Sequence, residues 1–335
     1  GFAMSKKDNR KNASVPIILK SSKDKSSSPA LSDLSEKDKP WDIHRSESDQ
    51  IENHYKGTEF NRYGDRIHFC SEFLDFLLKP TQKEGELKLK LKGARFCRVR
   101  TCMVCNWRKS LMYKSRVYKS LPKFLEDYPT YRFLFLTLTV KNCEISDLRE
   151  TITWMNQGFT RMSRLKAFPG EGWIKSVEVT KGWRGDAHPH FHLLLTVKSS
   201  YFGRDYLSQQ KWCDMWAKSL RIDYKPILDV QAVKAKGELT PLVAEIVKYQ
   251  TKPTHLIGHG TPEDREWFLE YTRQILNTKA LSIGGIFRSY FRELEDEPND
   301  LIGEDENDCS EDFGKLTFNW KRKDMKYRLL DDKSE

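Results

Sequence analysis

The segment HPHFHLLLTV, His188 to Val197, is the stretch from which the fold and the chemistry of this chain can be argued. Side chains two positions apart in a β-strand share a face, so His190 and His192 point to one side while Phe191 and Leu193 point to the other. A strand built mainly for burial therefore presents two parallel imidazoles. Such a pair occurs in metal sites and on the wet face of half-buried strands, and the neighbouring sequence distinguishes the two.

A carboxylate in the preceding strand favours the metal site. Two imidazoles alone hold a divalent ion poorly. In WIKSVEVT (173–180), Glu178 stands between two valines and leaves the strand on the face opposite to theirs. If 173–180 and 190–197 pair as a hairpin, Glu178 lies beside both histidines. We therefore predict Glu178, His190 and His192 as ligands of a catalytic Mg²⁺ or Mn²⁺, and leave His188 open as a ligand or a substrate contact.

The periodicities around these strands predict the fold. YRFLFLTLTV (131–140) has the pattern of a central strand, and 146–165 has the three- and four-residue apolar spacing of a helix. A helix at about 204–219, a strand at 226–233 and a helix between Pro241 and Pro253 follow the hairpin. The order β-α-β-β-α-β-α indicates an α+β fold with a central antiparallel sheet, a split βαβ arrangement of the ferredoxin or RRM type, and helices mainly on one face.

The segment LVAEIVKYQTKP (242–253) carries a second group of reactive side chains. On a helix, Glu245 and Tyr249 are one turn apart on the same face, with Lys252 close by. A phenol with a pKa of about 10 is a poor nucleophile at neutral pH, but nearby cations favour the phenolate. A carboxylate one turn away can later act as a general base for water. We predict Tyr249 as a nucleophile, assisted by Glu245 and Lys252.

Three blocks, FLTLTV (135–140), HPHFHLLL (188–195) and EIVKYQTK (245–252), resemble in order and spacing the plasmid rolling-circle replication initiators of the His-hydrophobic-His (HUH) endonuclease superfamily. The likeness is to the Rep family typified by staphylococcal plasmids and runs from about Cys70 to Phe291. It implies an HUH core in which His190 and His192 bind the metal, Tyr249 attacks the DNA and Glu245 acts in termination.

The resemblance also implies a reaction and its partners. The enzyme would nick one strand at the double-strand origin, keep a 5′-phosphotyrosine link, leave a 3′-OH for the polymerase and rejoin the strand at termination. The implied partners are plasmid origin DNA, as duplex or hairpin and as a single-stranded nick site, with the host helicase and polymerase. A homodimer is left open.

A cysteine cluster precedes the predicted core. FCRVRTCMVCNWRKS (96–110) contains Cys97, Cys102 and Cys105, and the Cys-x-x-Cys knuckle with a third thiolate five residues earlier is typical of zinc sites. Cys70 is the expected fourth ligand, with His68 as its competitor. We predict a structural Zn²⁺.

Charge and hydropathy restrict the partners and the compartment. Eleven acidic residues and no basic one lie between Glu293 and Asp312, and since the whole chain carries +10, the remainder carries +21. Such a surplus is typical of nucleic-acid binding. No apolar run approaches the roughly 20 residues of a membrane helix, and the N-terminus is Lys/Ser-rich. We expect a bacterial cytoplasmic protein without membrane contact.

Composition divides the chain into six predicted regions. They are a disordered polar tail (1–50, with 1–3 as a tag remnant), a Cys-rich zinc-binding segment (51–125), the HUH endonuclease core (126–255), a C-terminal helical extension (256–292), an acidic linker (293–314) and a basic C-terminal segment (315–335).

Three alternatives remain at this stage. A histidine-triad nucleotide hydrolase fits HPHFHLL but leaves Glu178, Tyr249 and the cysteines without a role. A zinc-containing DNA-binding protein without catalysis needs only the basic aromatic segments 287–294 and 318–328. A relaxase or transposase of the same superfamily is difficult to distinguish from a replication initiator by sequence alone.

Overall fold

The computed structural model of the protein describes residues 28–81, 83, 85–233, 239–247, 251–296, 301–302 and 313–330. The helices are α1 (Leu31–Leu34), α2 (Lys39–Tyr55), α3 (Asn61–His68), α4 (Met103–Asp127), α5 (Leu148–Ser163), α6 (Gln209–Leu220), α7 (Leu239–Val247), α8 (Pro253–Ile257), α9 (Pro262–Ile275) and α10 (Arg288–Phe291). The strands are β1 (Phe73–Pro80), β2 (Leu87–Ala94), β3 (Arg132–Thr139), β4 (Gly170–Lys181), β5 (Ala187–Val197), β6 (Leu228–Ala232), β7 (Leu281–Gly285), β8 (Lys315–Lys321) and β9 (Lys326–Leu329).

Five strands form the first sheet, in the order β6-β3-β5-β4-β7. β5 pairs antiparallel with both β3 and β4, so β3 and β4 run parallel to each other with β5 inserted between them. This is the split βαβ arrangement, with α5 as the crossover between β3 and β4. The predicted α+β fold and the order β-α-β-β-α-β-α are therefore confirmed.

Helices cover both faces of this sheet, whereas the sequence predicted helices mainly on one face; the second face is covered by α7 and by α4, which precedes the predicted core. α5 and α6 pack on one face against alternate residues of the central strands, among them Leu136, Phe191 and Val177. α4 and α7 pack on the other face against Phe135 and Leu194. Because β5 is buried along nearly its whole length on both faces, its sequence is a continuous apolar run rather than an alternating one. The histidines interrupt that run only on the face of α4 and α7.

A second sheet has the order β2-β1-β8-β9 and joins an N-terminal hairpin to a C-terminal one. The basic segment predicted as a separate C-terminal region is therefore a part of this sheet, up to Leu330 where the description ends. Phe318, Trp320 and Tyr327 are buried in the core. Composition did not indicate this pairing because the partner strand β1 lies about 240 residues upstream.

The disordered tail predicted for residues 1–50 is too long, because α1 and most of α2 fall within it. The buried face of α2 contains Trp41 and Ile51 but also Arg45, Ser48 and Glu52. Arg45 donates to the His68 carbonyl oxygen at 2.9 Å and pairs with Asp49 at 2.9 Å. A helix whose buried side is partly polar has the composition of a disordered segment. Residues 1–27 lie outside the described residues.

The regions predicted beyond the core also differ in detail. The helical extension 256–292 contains β7, which pairs with β4 at the edge of the first sheet. Of the acidic linker, 297–300 and 303–312 lie outside the described residues, whereas Leu294 and Leu301 are buried. Leu301 is also held by Arg108, which donates to the Leu301 carbonyl oxygen at 2.7 Å. Within the described ranges, every helix is too short or too polar to cross a lipid bilayer.

Candidate active site

The hairpin register brings the three predicted metal ligands together. β4 and β5 pair as predicted, with Glu178 opposite His190 and Ser176 opposite His192. Directly opposed residues of antiparallel strands share a face. That face is the one covered by α4 and α7, because Phe191 and Val177 point into the core under α5 and α6.

The ligand atoms of this triad converge on one carboxylate oxygen. His192 Nε2 lies 2.9 Å and His190 Nε2 lies 3.4 Å from Glu178 Oε2. One donor atom from each residue lies within 4.8 Å of the other two. All three side chains are nearly excluded from solvent, with at most 11% exposed. Three such groups in one buried place are typical of a metal site, because an ion removes the cost of burying the carboxylate.

The second nitrogen of each ring has its own partner, which supports this use of Nε2. His190 Nδ1 lies 3.2 Å from the His188 carbonyl oxygen, and a carbonyl only accepts, so Nδ1 carries the proton. His192 Nδ1 lies 3.2 Å from Thr137 Oγ1, which can accept in the same way. Both rings can thus direct an unprotonated Nε2 towards an ion. Partners of this kind fix the tautomer and orientation of metal-binding histidines.

The third histidine of the segment is not part of the triad. His188 Nδ1 lies 2.7 Å from Asn142 Oδ1, near the mouth of the hairpin. Burial, followed by the charge of His190, lowers the pKa of His188. The structure therefore separates His188 from the ligand group and leaves a substrate contact as its remaining predicted role.

A small cavity connects the triad to α7. It has a volume of about 40 Å³ and is bordered by Glu178 and His192 from the sheet and by Glu245 and Val247 from α7. The predicted catalytic glutamate, Glu245, and two of the three predicted metal ligands, Glu178 and His192, thus line the same space. Tyr113 of α4 lines it as well.

Tyr249 lies outside the described residues, which omit 248–250. The chain is described again from Thr251, whose hydroxyl donates to the Tyr271 hydroxyl at 2.8 Å. Lys252 is exposed and precedes α8 as its N-cap residue.

The chain after Lys252 returns to the triad. His255 Nδ1 accepts the Lys181 backbone N–H at 3.1 Å, three residues beyond Glu178 in β4. Burial, and next the charge of Lys252, lower the pKa of His255, while the Glu178 carboxylate acts in the opposite direction. Lys252 and Glu178 are therefore both electrostatic neighbours of His255.

The four cysteines form a second, separate group. The Sγ atoms of Cys70 and Cys105 lie 3.6 Å apart, those of Cys97 and Cys105 3.7 Å, and those of Cys70 and Cys102 3.7 Å. Four sulfurs at about 2.3 Å from one tetrahedral zinc would be about 3.8 Å from each other. The spacing therefore fits a zinc ion and is too long for disulfides. His68, the competing ligand, is paired with Glu52 at 2.9 Å instead.

The electrostatics of the cluster also favour a cation. Hydrogen bonding to Cys102 and Cys105, together with burial, holds the pKa of the Cys97 thiol far above its usual range. A second thiolate in this place would be repelled by the first, and a dication removes that repulsion. The backbone N–H groups of Arg98 and Cys97 donate to the sulfurs of Cys105 and Cys70 at 3.3 and 3.4 Å.

Two residues of the site were missed by the sequence argument. Thr137 is placed opposite His192 by the β3–β5 register, and Tyr113 reaches the cavity from a helix that begins at the cysteine cluster. The alternate threonines of FLTLTV could have indicated the role of Thr137, since a hydroxyl inside an apolar strand needs a hydrogen-bond partner. Nothing in the local sequence distinguishes Tyr113 from the other tyrosines of α4.

Comparison with known proteins gives a family and several relatives. A family model described as "Replication protein" matches residues 88–328. "Protein rep" of Streptococcus pneumoniae is 33% identical over 274 residues, covering 78% of this chain and 83% of that protein. "Protein rep" of Lentilactobacillus hilgardii is 30% identical over 283 residues, covering 81% and 88%. A "Replication protein" of Staphylococcus aureus is 28% identical over 221 residues, covering 61% and 94%.

No solved structure gives a significant match to this chain. The family match runs from β2 to β9 and leaves out β1; it includes the cysteine cluster apart from Cys70, the Glu178 triad and α7. The chain belongs to the replication-protein family of plasmid Rep-type replication initiators.

Proposed function

We propose that this initiator is a metal-dependent endonuclease that cuts one strand of the plasmid origin and stays attached to the 5′ end. The observation that carries the proposal is the convergence of Glu178, His190 and His192 next to the helix that leads to Tyr249. Within the described residues, this triad and the cysteine group are the two clusters that could hold a metal ion.

The chain's own residues have distinct roles in this reaction. The Tyr249 phenolate attacks the scissile phosphorus, an O–P bond forms, the P–O3′ bond breaks, and the 3′ oxygen takes up a proton. A bound dication would polarise the phosphate and stabilise the charge that develops on it. Lys252, as a nearby cation, favours the phenolate form of the tyrosine. Rejoining reverses the same bond changes.

Glu245 is proposed to act later than Tyr249. When the regenerated origin is cut again, a water deprotonated by Glu245 can attack the phosphorus in place of a second tyrosine. The P–O3′ bond breaks, the 3′ oxygen takes up a proton and a free 5′ phosphate remains, which ends the cycle. Glu245 lines the cavity together with Glu178 and His192, which supports a role close to the scissile phosphate.

The donor set bears on the identity of the catalytic ion. Two imidazoles and one carboxylate suit Mn²⁺ better than Mg²⁺, which prefers oxygen ligands and keeps several waters. We propose Mn²⁺ or Mg²⁺ as the catalytic ion, with Mn²⁺ bound more tightly.

The direct test of the function is a covalent adduct. The protein is incubated with a single-stranded oligonucleotide that carries the origin nick site and with Mn²⁺, and the products are separated under denaturing conditions. We expect the downstream fragment, labelled at its 3′ end, to migrate with the protein and the upstream fragment to end in a free 3′-OH. An uncut oligonucleotide under all divalent-ion conditions would contradict the proposal.

Thr137→Val tests the orientation of the His192 ring. The substitution keeps the shape of the side chain but removes the oxygen next to Nδ1. Loss of such a partner typically weakens metal binding by about 10- to 100-fold. Titration with Mn²⁺ followed by electron paramagnetic resonance measures this directly. Thr196→Val is the matched control, because Thr196 lies in β5 but its hydroxyl donates to the Arg132 carbonyl oxygen, outside the triad. Equal affinities for both variants would contradict the role of Thr137.

The cysteine group is proposed to hold a structural zinc. Purified protein should contain about one zinc per chain, and Cys102→Ser should lose it and unfold at a much lower temperature, because structural zinc sites contribute directly to folding. Cys213→Ser is the control, since Cys213 is buried in α6 away from the cluster. A zinc-free protein with an unchanged melting temperature would exclude the site.

A further inference from the structure

The strands of the second sheet carry an unusual charge. Eight basic residues and one acidic residue, Asp75, lie in β1, β2, β8 and β9. The strands of the first sheet carry three basic and three acidic residues. The positive surplus of the strands is therefore concentrated in the sheet that does not contain the Glu178 triad.

The register places these cations on one face. Leu74, Phe76 and Phe318 point into the core, so the residues that alternate with them point away from it. Lys88 is opposite Lys79, and Lys321 is opposite Lys326, on that outer face. The outer residues of the four strands are Phe73, Asp75, Leu77, Lys79, Lys88, Lys90, Lys315, Thr317, Asn319, Lys321, Lys326 and Arg328.

Several of these cations are not used inside the protein. Lys88 and Lys321 of this face, the bulge residue Lys92 of β2 and Lys323 of the β8–β9 turn are exposed, and in the described part of the chain none of them has an ion pair or a side-chain hydrogen bond. The one acidic residue of the face is already occupied, because Asp75 accepts from Thr317 at 2.7 Å and pairs with Lys315 at 3.2 Å.

A groove continues this face at the β8–β9 turn. It has a volume of about 560 Å³ and is bordered by Lys321, Arg322, Lys323 and Arg328. Arg328 donates to the Ser28 carbonyl oxygen at 3.0 Å and pairs with Asp324, which also borders the groove, at 3.2 Å. Arg322 donates to the His68 carbonyl oxygen at 2.8 Å. The arginines are thus held by the protein, and the two lysines remain available.

We infer that this outer face, together with the groove, binds the phosphate backbone of duplex DNA. The face follows the eight residues of β1, roughly 25 Å, which is long enough to contact several phosphates, although Lys79 near the end of this strand is itself buried. Single strands are usually bound by stacking bases on aromatic rings, and Phe73 is the one ring among the outer strand residues. A face of cations with so little aromatic surface fits a duplex better. The inference rests on the proposed function only in taking origin DNA as the ligand.

The test compares the loss of four lysines of this face and groove with the loss of two exposed lysines of α6. Lys88, Lys92, Lys321 and Lys323 are all replaced by glutamine, and Lys211→Gln with Lys218→Gln is the control, because these two exposed lysines lie in α6 on the face of the first sheet opposite the triad. Binding to a 30-base-pair duplex is measured without divalent ions over a range of salt concentrations. The same four positions changed to arginine restore the charge without restoring lysine.

We expect the glutamine variant to bind the duplex at least roughly 10-fold more weakly at physiological salt, and the slope of log affinity against log salt to fall by about 2 to 4, since each lost phosphate contact removes about 0.9. The arginine variant and the control pair should bind like the unmodified protein. An unchanged affinity and slope would overturn the inference, as would an arginine variant as weak as the glutamine one. An equal loss of single-strand binding would overturn the assignment to duplex DNA.

Cleavage of the single-stranded oligonucleotide separates this inference from the proposed function. The glutamine variant should cut and form the adduct at the rate of the unmodified protein, because none of the four lysines borders the cavity next to Glu178 and His192. If the unmodified protein does not cut, the proposed nicking activity fails while the duplex-binding result still stands by itself.

Discussion

Tyr249→Phe is expected to remove strand cleavage and the covalent adduct completely. The substitution keeps the ring and its packing but deletes the only oxygen that can join the protein to phosphorus, and the water activated by Glu245 is proposed to act only when the origin is cut again. Denaturing electrophoresis of the protein with labelled single-stranded origin DNA and Mn²⁺ measures both products. Duplex DNA binding should be unchanged, which separates loss of chemistry from loss of fold.

The tyrosines of α4 provide controls for this result. Tyr118→Phe should cut at the normal rate, because Tyr118 does not line the cavity of the triad, whereas Tyr113 does. If Tyr249→Phe still forms an adduct and Tyr113→Phe does not, the nucleophile has been assigned to the wrong helix. Loss of the adduct in Tyr249→Phe alone supports the assignment.

Glu245→Ala extends the same prediction to termination. The variant should still nick supercoiled plasmid and form the adduct, because the tyrosine is intact, but it should fail to end replication after one round. Products longer than one plasmid unit are the expected outcome. Normal termination would show that Glu245 is only a residue of the helix surface and that another group ends the cycle.

His192→Ala, and separately His190→Ala, is expected to lower the cleavage rate by about 10³-fold or more, because a catalytic dication contributes several kcal/mol of charge stabilisation in the transition state. Mn²⁺ titration should show a matching loss of affinity. Duplex binding should remain, since the ion serves the chemistry and the proposed DNA-binding face lies on the other sheet. Full cleavage by either variant would exclude the triad as the catalytic metal site.

His188→Ala tests the composition of the ligand group. His188 belongs to the same segment, but its ring is bound to Asn142 rather than to the triad. Its loss should leave Mn²⁺ affinity within roughly threefold, because outer-shell partners typically matter only when they contact a ligand. A loss as large as that of His192→Ala would make His188 a fourth ligand.

The local sequence was sufficient for the core and for the convergence of Glu178, His190 and His192. Alternation along β5 placed His190 and His192 on one face, and the valines around Glu178 set its direction, because side-chain direction in a strand follows from a two-residue period. The βαββαβα order followed in the same way from periodicity. The cysteine pattern predicted four zinc ligands, and in the structure each of the four Sγ atoms lies within 3.7 Å of at least one other Sγ atom of the group.

Tertiary structure alone decided what depends on distant pairing. Thr137 became a partner of His192 through strand register, and Tyr113 entered the cavity because α4 crosses from the cysteine cluster to the first sheet. The second sheet joins β1 to β8 across most of the chain, and α2 buries a partly polar face. Composition cannot reveal such features, because a polar residue looks solvent-exposed until the partner that satisfies it is known. The lysines of β2 and β8 were visible as charge in the sequence, but only folding placed them on one face.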